Sequence, residues 1–320
     1  MEASNRSYGH RQKASASRLM APRILMTGAS GFLGRVIQSK KLEPLLTVGR
    51  SETNSIQCDL SKDIPVLPDR LEHVIHCAGK AHSMPGSIGD VDEFFRVNLD
   101  GAKNLVKGLE RSESMVKSFT FISTVAVYGR QEGYNLNEST PLNGSSPYAK
   151  SKLEAERFLR AWSSSGGIQM LILRLPLIVA SNPPGNLGAM IEGMRSGRYL
   201  SINRGRARKS MVLASDIARL VIHSNRHAGI YNLTDRYHPR VSELEGLISQ
   251  QLKKSPPRNI PLSFAKLLGI CGDVFGDWFP VNTQKINTLT KNLVFNDDKA
   301  VKELAWKPKR VIDHLNVGSD

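Results

Sequence analysis

Short apolar runs alternate with amphipathic stretches along most of the chain. The runs with the length and composition of buried strands are "RILMT" (23–27), "LLTVG" (45–49), "HVIHCA" (73–78), "SFTFIS" (118–123) and "MLILRL" (170–175). Helical patterns lie between them, notably over 91–111 and 148–162. Strands that alternate with helices predict an α/β fold with a parallel sheet covered on both faces. Such a sheet binds ligands at the carboxyl ends of its strands.

The pattern loosens after about residue 176. A Pro-Pro-Gly loop at 183–185 is followed by helical patterns near 215–225 and 241–252, a strand "GIYNL" and a break at "SPP" (255–257). We therefore expect a first domain over 20–176, whose core continues to about 235, and a smaller C-terminal α/β lobe over 177–320. Residues 1–19 are Ser/Arg-rich without an apolar pattern, which predicts a disordered extension.

Composition limits the classes of protein that fit this chain. It has 40% hydrophobic residues and no uncharged apolar run of roughly 18 residues, so we predict a globular protein without a membrane span. The apolar stretch 260–280 is interrupted by Lys266, Asp273 and Asp277, which predicts an amphipathic helix against the core or a partner rather than a membrane-surface segment.

Cysteine usage and charge narrow the choice further. Three cysteines without a CxxC pair argue against a disulfide framework and against a metal site, and favour a reducing compartment such as the cytoplasm. The net charge is +15, but no zinc-finger spacing, RNP-like strand or basic zipper accompanies it. We expect an anionic small substrate rather than nucleic acid.

A glycine-rich turn follows the first strand. "MTGASGFLG" places Gly28, Gly31 and Gly34 between an apolar strand and a helix. Glycines at these points permit a tight turn, close approach of the backbone to a pyrophosphate and close helix–strand packing. This order of elements predicts dinucleotide binding in a Rossmann-type, doubly wound sheet.

The end of the second strand bears on which dinucleotide binds. An acidic residue there would accept from the ribose hydroxyls of NAD, but this chain has Gly49, Arg50 and Ser51. Arg50 offers a planar cation for a 2′-phosphate, which favours NADP over NAD; the alternative is a solvated side chain. Asp59 is placed to accept from the adenine amino group, or is a surface turn residue.

A phenol and an ammonium lie one helical turn apart in "SPYAKSK". Tyr148 and Lys152 would project from one face of a helix, shortly after the strand end "FIST". A nearby ammonium lowers the pKa of a tyrosine, and a hydroxyl of Thr124 or Ser123 could hold a substrate oxygen. This set is suited to interconverting an alcohol and a ketone while nicotinamide carries the hydride.

With these motifs the sequence resembles the extended short-chain dehydrogenase/reductase family. The matching elements are "TGASGFLG", "VIHCAG", "VNLDGAKNLV", "STVAVYG", "YAKSK" and "LRLP", in family order over 23 to about 180. The resemblance is to its nucleotide-sugar epimerase/dehydratase group, and most to a polysaccharide-associated branch. The segments "PPGNL", "RGRARKSMVLASDIA" and "FNDDKAVKELAWKP" match the substrate lobe of the same group more loosely.

The resemblance implies roles for individual residues. Tyr148 would be the acid/base, Lys152 would lower its pKa, and Thr124 would hold the reacting sugar oxygen. The cofactor would contact Gly28, Ser30, Gly31, Phe32, Leu33, Gly34, Arg50, Ser51, Asp59, Leu60, Cys77, Ala78, Gly79, Asn98, Ser123, Tyr148, Lys152 and Pro176. The substrate would contact His82, Ser123, Thr124, Tyr148, Asn186, Arg208 and Lys209. For Asn98 a capping or kinking role, for His82 a structural role, and for the basic 195–209 segment a solvated face stay open.

Departures from the family pattern narrow the reaction. Val125 and Ala126 stand where 4,6-dehydratases carry an Asp–Glu pair, and Leu177 stands where 4-epimerases often place an Asn. The leading hypothesis is a nucleotide-sugar 4-epimerase, and the second an NADPH-dependent 4-ketoreductase. A non-catalytic dinucleotide sensor is the remaining hypothesis. The family also implies a homodimer.

Overall fold

The computed structural model describes residues 23–40, 45–81, 88–275 and 282–317. The predicted extension 1–19 and His82 lie outside the described residues. The strands are β1 (Arg23–Thr27), β2 (Leu45–Gly49), β3 (Ile56–Gln57), β4 (Leu71–His76), β5 (Ser118–Thr124), β6 (Gly133–Leu136), β7 (Gln169–Leu175), β8 (Leu177–Val179), β9 (Ser201–Ile202), β10 (Met211–Leu213), β11 (Gly229–Asn232), β12 (Asn259–Ile260) and β13 (Leu293–Phe295).

Helices alternate with these strands along most of the chain. They are α1 (Phe32–Gln38), α2 (Ile88–Phe95), α3 (Gly101–Arg111), α4 (Pro147–Ser165), α5 (Gly185–Arg195), α6 (Ala214–Val221), α7 (Val241–Gln251), α8 (Leu262–Phe275), α9 (Thr283–Thr290) and α10 (Asp298–Leu304). A π-helical turn, Arg96–Asp100, joins α2 to α3, so the helix expected over 91–111 is not a continuous α-helix.

Seven strands form the central sheet. Their order is β11-β7-β5-β4-β1-β2-β3, and every pair is parallel. The chain runs from β1 outward to β2 and β3, then crosses back to β4 on the other side of β1. This reversal is the topological switch point at which doubly wound sheets bind ligands. The predicted Rossmann-type α/β fold is confirmed.

Both faces of the sheet are covered. Alternate residues of each strand point to opposite sides, and each side packs into its own apolar cluster. In β1, Met26 packs into one cluster with Ile217 of α6 and Trp306, whereas Leu25 packs into another with Leu105 of α3. All five of these side chains are buried. The near-continuous apolar strands therefore mark two-sided burial.

Three further two-stranded parallel sheets are β8·β10, β9·β12 and β6·β13, and all their strands except β6 come from the C-terminal half. A separate cluster joins α5 and α7 through residues such as Ile191, Leu244 and Ile248. Other C-terminal elements belong to the central sheet instead: β11 is its edge strand, and α6 and α10 contribute to its core. The two parts of the chain are thus interleaved.

Candidate functional site

The carboxyl ends of the strands around the switch point open onto a cavity of about 560 Å³. Ten residues predicted to bind cofactor or substrate line it: Phe32, Leu33, Cys77, Gly79, Ser123, Thr124, Tyr148, Lys152, Pro176 and Asn186. They come from six elements or loops spread over more than 150 positions of the chain. Phe295 of β13, far later in the chain, completes the lining.

The glycines of the turn pack so closely against neighbouring backbone that no side chain could replace them. Gly28 has φ +72°, and a Cβ there would lie 2.5 Å from the backbone nitrogen of Ala78. A Cβ on Gly34 would lie 2.0 Å from the carbonyl oxygen of Gly28. Strand β1, the turn and helix α1 therefore pack at backbone contact distance, which keeps the approach to the turn open for a pyrophosphate.

Tyr148 lies in the first turn of α4, whose start is fixed by two local signals. The Ser146 hydroxyl accepts from the backbone N–H of Ala149 at 3.2 Å, and Pro147 occupies the first helical position. These signals place Tyr148 on the lining of the cavity, together with Thr124, the last residue of β5. Burial raises the pKa of Tyr148, and the Thr124 hydroxyl opposes that shift.

Lys152 lies one turn further along α4 and is only 4% exposed. Its Nζ donates to the carbonyl oxygen of Ile122 at 2.6 Å and lies 4.0 Å from the centre of the Phe121 ring. Burial lowers the pKa of Lys152 to about 8, partly opposed by the carboxylate of Glu156. Thr124 is the group that acts to lower the pKa of Tyr148, and the lowering role expected of Lys152 stays a prediction.

Asn98 lies within the π-helical turn and is 1% exposed. Its Oδ1 accepts from the backbone N–H of Lys80 at 2.8 Å, and its Nδ2 donates to the Ser151 hydroxyl at 2.8 Å. A Cβ on Gly79 would lie 3.0 Å from Asn98 Oδ1 and 3.6 Å from Lys152 Nζ. Asn98 therefore ties the loop after β4 to helix α4, beneath the cavity floor.

The residues predicted to hold the adenosine end lie at the carboxyl ends of β2 and β3, away from the cavity lining. Arg50 and Ser51 are exposed. Asp59 Oδ1 accepts from the Ser61 hydroxyl at 2.7 Å. Burial acts to raise the pKa of Asp59, but the hydrogen bonds from Ser61 and the charge of Arg50 lower it. Leu60 is buried in the core, and its carbonyl accepts from Asn104.

Arg208 and Lys209 do not line the cavity. Arg208 Nη1 donates to the carbonyl oxygen of His238 at 2.9 Å, and Lys209 Nζ donates to that of Lys291. Two cations that the sequence analysis missed, Lys80 and Arg130, line it instead. Arg130 follows directly after the "STVAVYG" motif, and only that adjacency could have pointed to it.

A buried polar network supports the end of β5 from below. The Ser123 hydroxyl donates to Glu156 Oε1, which also accepts from Arg174 Nε at 3.1 Å, while Glu156 Oε2 accepts from Arg174 Nη2 at 2.7 Å. Arg174 Nη1 also donates to the Tyr128 hydroxyl, which donates to Asn232 Oδ1 at 2.7 Å. Each member of the network is at most 4% exposed.

The residues present fit a dinucleotide. A Cβ on Gly28 would collide with the backbone of Ala78, and a Cβ on Gly79 would lie 3.0 Å from Asn98 Oδ1, so the turn and the loop after β4 pack as closely as a dinucleotide-binding turn requires. Cys77 lies between them at the cavity wall, and burial raises the pKa of its thiol to about 12, so it is a neutral surface. Within the described part of the chain, no cluster of three His, Cys, Asp or Glu could hold a metal ion.

Comparisons with known proteins agree with this geometry. The model of the NAD dependent epimerase/dehydratase family matches residues 24–234. An N-acetyl-alpha-D-glucosaminyl-diphospho-ditrans,octacis-undecaprenol 4-epimerase of Escherichia coli O157:H7 is 24% identical, over 88% of this chain and 89% of that protein. A GDP-6-deoxy-D-mannose reductase of Pseudomonas aeruginosa is 26% identical, over 72% and 80% respectively.

The same fold occurs in solved structures. The crystal structure of a UDP-glucose 4-epimerase of Thermotoga maritima with UDP-glucose superposes with a TM-score of 0.70. The superposition covers 91% of this chain and 96% of that one, at 18% sequence identity.

Proposed function

Because this chain belongs to the NAD dependent epimerase/dehydratase family, we propose that it is a nucleotide-sugar 4-epimerase. The observation that carries the proposal is that Thr124, Tyr148 and Lys152 line one cavity at the carboxyl ends of the strands, with Lys152 one helical turn from Tyr148. The substrate we propose is a UDP-(N-acetyl)hexosamine or UDP-hexose that serves surface polysaccharide synthesis. The related undecaprenol-linked 4-epimerase supports that setting.

The chain's own groups handle the proton. Thr124 orients the C4 hydroxyl of the sugar, and Tyr148 removes its proton and later returns it to the same oxygen. Lys152, protonated below about pH 8, supplies positive charge close to the reacting groups. Val125 and Ala126 follow Thr124, so no side-chain carboxylate stands there to eliminate water.

A bound NAD(P) supplies the acceptor and donor of the C4 hydride. The glycine turn at Gly28 would hold its pyrophosphate and Lys152 its nicotinamide ribose. Arg50 would bind a 2′-phosphate, which favours NADP. Arg130 and Asn186 are the cavity residues that we assign to the diphosphate of the sugar nucleotide.

The deciding experiment supplies UDP-N-acetylglucosamine to the purified protein without added reductant. We expect the 4-epimer to form while NADPH is neither consumed nor required. Tyr148→Phe is expected to abolish turnover and leave dinucleotide binding unchanged. Full turnover in this variant would remove the proton-transfer role of Tyr148. Absence of turnover in the wild type would count against the epimerase and leave a 4-ketoreductase or a dinucleotide-sensing protein.

A 4-ketoreductase is the second candidate, and Arg50 is the observation that favours it. NADPH commonly arrives as an exchanging reductant, and a related protein is a GDP-6-deoxy-D-mannose reductase. This reaction would use the same Tyr148, now as the acid that protonates the C4 oxygen. Stoichiometric NADPH oxidation with a nucleotide 4-keto-6-deoxysugar, without epimerisation of UDP-N-acetylglucosamine, would favour the reductase over the epimerase.

We also propose a homodimer that packs α3 and α4 of two copies into a four-helix interface. Arg157 and Arg160 lie exposed on α4, and Lys107 lies exposed on α3. Sedimentation velocity of the wild type and of Arg160→Glu tests this, since a dimer that dissociates in the variant supports the interface.

A further inference from the structure

Helix α8 carries large apolar side chains on its outer surface. Phe264, Leu267 and Ile270 are 50%, 57% and 58% exposed. Their three-residue spacing places them within an arc of about 120° on one side of the helix. We call these three side chains the α8 outer face. No other helix or strand of the described residues carries more than one exposed large apolar side chain.

The inner side of α8 explains why this orientation is fixed. Ala265, Gly269 and Gly272 are buried on that side. A Cβ on Gly269 would lie 2.6 Å from Cδ1 of Ile286 and 3.2 Å from Cα of Thr283, both in α9. Because even a methyl group does not fit there, α8 cannot rotate to bury its large side chains. The outer face is therefore available to something outside the folded chain.

The sequence that contains and flanks α8 is rich in cationic residues. Between residues 253 and 296 the sequence holds six Lys or Arg but only two Asp or Glu. Lys266 on α8 and Arg258 just before it are exposed. One of the two acids, Asp273, accepts from the backbone N–H of Thr283 at 3.1 Å and so starts α9. The face itself consists of hydrocarbon side chains without a polar atom.

We propose that the α8 outer face docks on an anionic lipid bilayer. Apolar side chains with a basic rim suit the boundary between acyl chains and phosphates. The residues that dominate binding at protein interfaces are Trp, Tyr and Arg, none of which is among the three side chains of this face, and Leu is under-represented among them. The helix lies on the bilayer rather than across it, since none of the helices in the described ranges has the length and apolarity to span one. The sequence favours a core or partner over a membrane surface for this stretch; its inner side does pack on α9, and the membrane is proposed for the outward side chains Phe264, Leu267 and Ile270.

The docking surface is linked to the cavity through a short path. Helix α8 packs on α9, and Lys291 directly after α9 accepts from Lys209 Nζ. Leu293, two residues further, lines the cavity. Helix α8 is therefore connected to the cavity wall through α9, but docking goes beyond the proposed function and does not depend on it.

Vesicle flotation of the full chain tests the proposal. The α8 variant combines Leu267→Ser with Ile270→Ser, and the control variant combines Val66→Ser with Met115→Ser. The control removes side chains that are 89% and 76% exposed, elsewhere on the surface. We expect wild type and control to float with vesicles of phosphatidylcholine and phosphatidylglycerol, and less so at high salt. The α8 variant is expected to lose at least about tenfold in bound fraction.

Several results would overturn the docking surface. The proposal is wrong if the wild type does not float with these vesicles, if the α8 variant floats as well as the wild type, or if the control variant loses binding to the same extent as the α8 variant. A wild type that self-associates in sedimentation velocity, through contacts that only the α8 variant loses, would assign the face to a second copy instead. Turnover of a water-soluble sugar nucleotide without vesicles is expected to be equal in all three proteins, so loss of docking is distinguishable from loss of the proposed activity.

Discussion

Replacing Glu156 tests whether the network beneath β5 stabilises the site. The Glu156 carboxylate accepts from Ser123 and twice from Arg174, and both charged side chains are 2% exposed. Glu156→Gln removes the charge that compensates the Arg174 guanidinium and leaves a buried cation. Breaking one partner of a buried ion pair costs about 3–5 kcal/mol, and since glutamine keeps one acceptor oxygen, we expect about 3 kcal/mol.

Urea unfolding measures this loss against a matched control on the same helix. Glu154 pairs with Arg157 at 2.6 Å, but their side chains are 43% and 61% exposed, so Glu154→Gln is expected to cost less than about 0.5 kcal/mol. Replacing Glu156 and Arg174 together with methionine is expected to recover most of the loss, because no unpaired charge remains. Equal stability of the two single Gln variants would refute the reasoning. A double methionine variant that loses the sum of what the two single methionine variants lose would refute it as well.

Three other variants test the cofactor side of the site. Gly28→Ala is expected to abolish dinucleotide binding in calorimetry. Gly197→Ala is the control, since Gly197 has φ +74°, close to the +72° of Gly28, but its Cβ would point into open space. The control variant is expected to lose only about 1 kcal/mol of stability and to keep binding. Lys152 has a pKa of about 8 when folded against 10.5 unfolded, so the unfolded chain binds more protons between these values and stability rises with pH there. In urea unfolding at about pH 8 and pH 10.5, the free energy of unfolding of the wild type is expected to rise by about 3 kcal/mol more than that of Lys152→Met. Identical pH dependence in the two proteins would contradict this expectation. Arg50→Glu is expected to weaken NADP binding at least about tenfold and spare NAD; equal losses for both would exclude Arg50 from the phosphate site.

Features set by local sequence could be predicted well. The apolar run 45–49 is β2 with the same bounds, and the glycine turn lies between β1 and α1 as expected. Tyr148 and Lys152 share one face because a helix of known pitch begins at Pro147. In each of these cases neighbouring residues alone determine the geometry.

Features set by distant contacts could not be predicted. The π-helical turn at Asn98 coincides with bonds to Lys80 and Ser151, 18 and 53 positions away. Arg208 and Lys209 have the composition of a diphosphate site, yet backbone carbonyls of later segments bind their charges. Short strands such as β9 and β12 hold two residues each, too few to form a pattern.

The position of β13 late in the chain bears on how the protein is made. Leu293 and Phe295 close the cavity, and Trp306 fills the core beneath the central sheet. While these residues are still inside the ribosome, the nascent polypeptide has neither a complete pocket nor a complete interior. Folding of this part is therefore completed only after these residues have left the ribosome, and a polypeptide cut short before Leu293 is expected to be a substrate for proteolysis rather than a partly working enzyme.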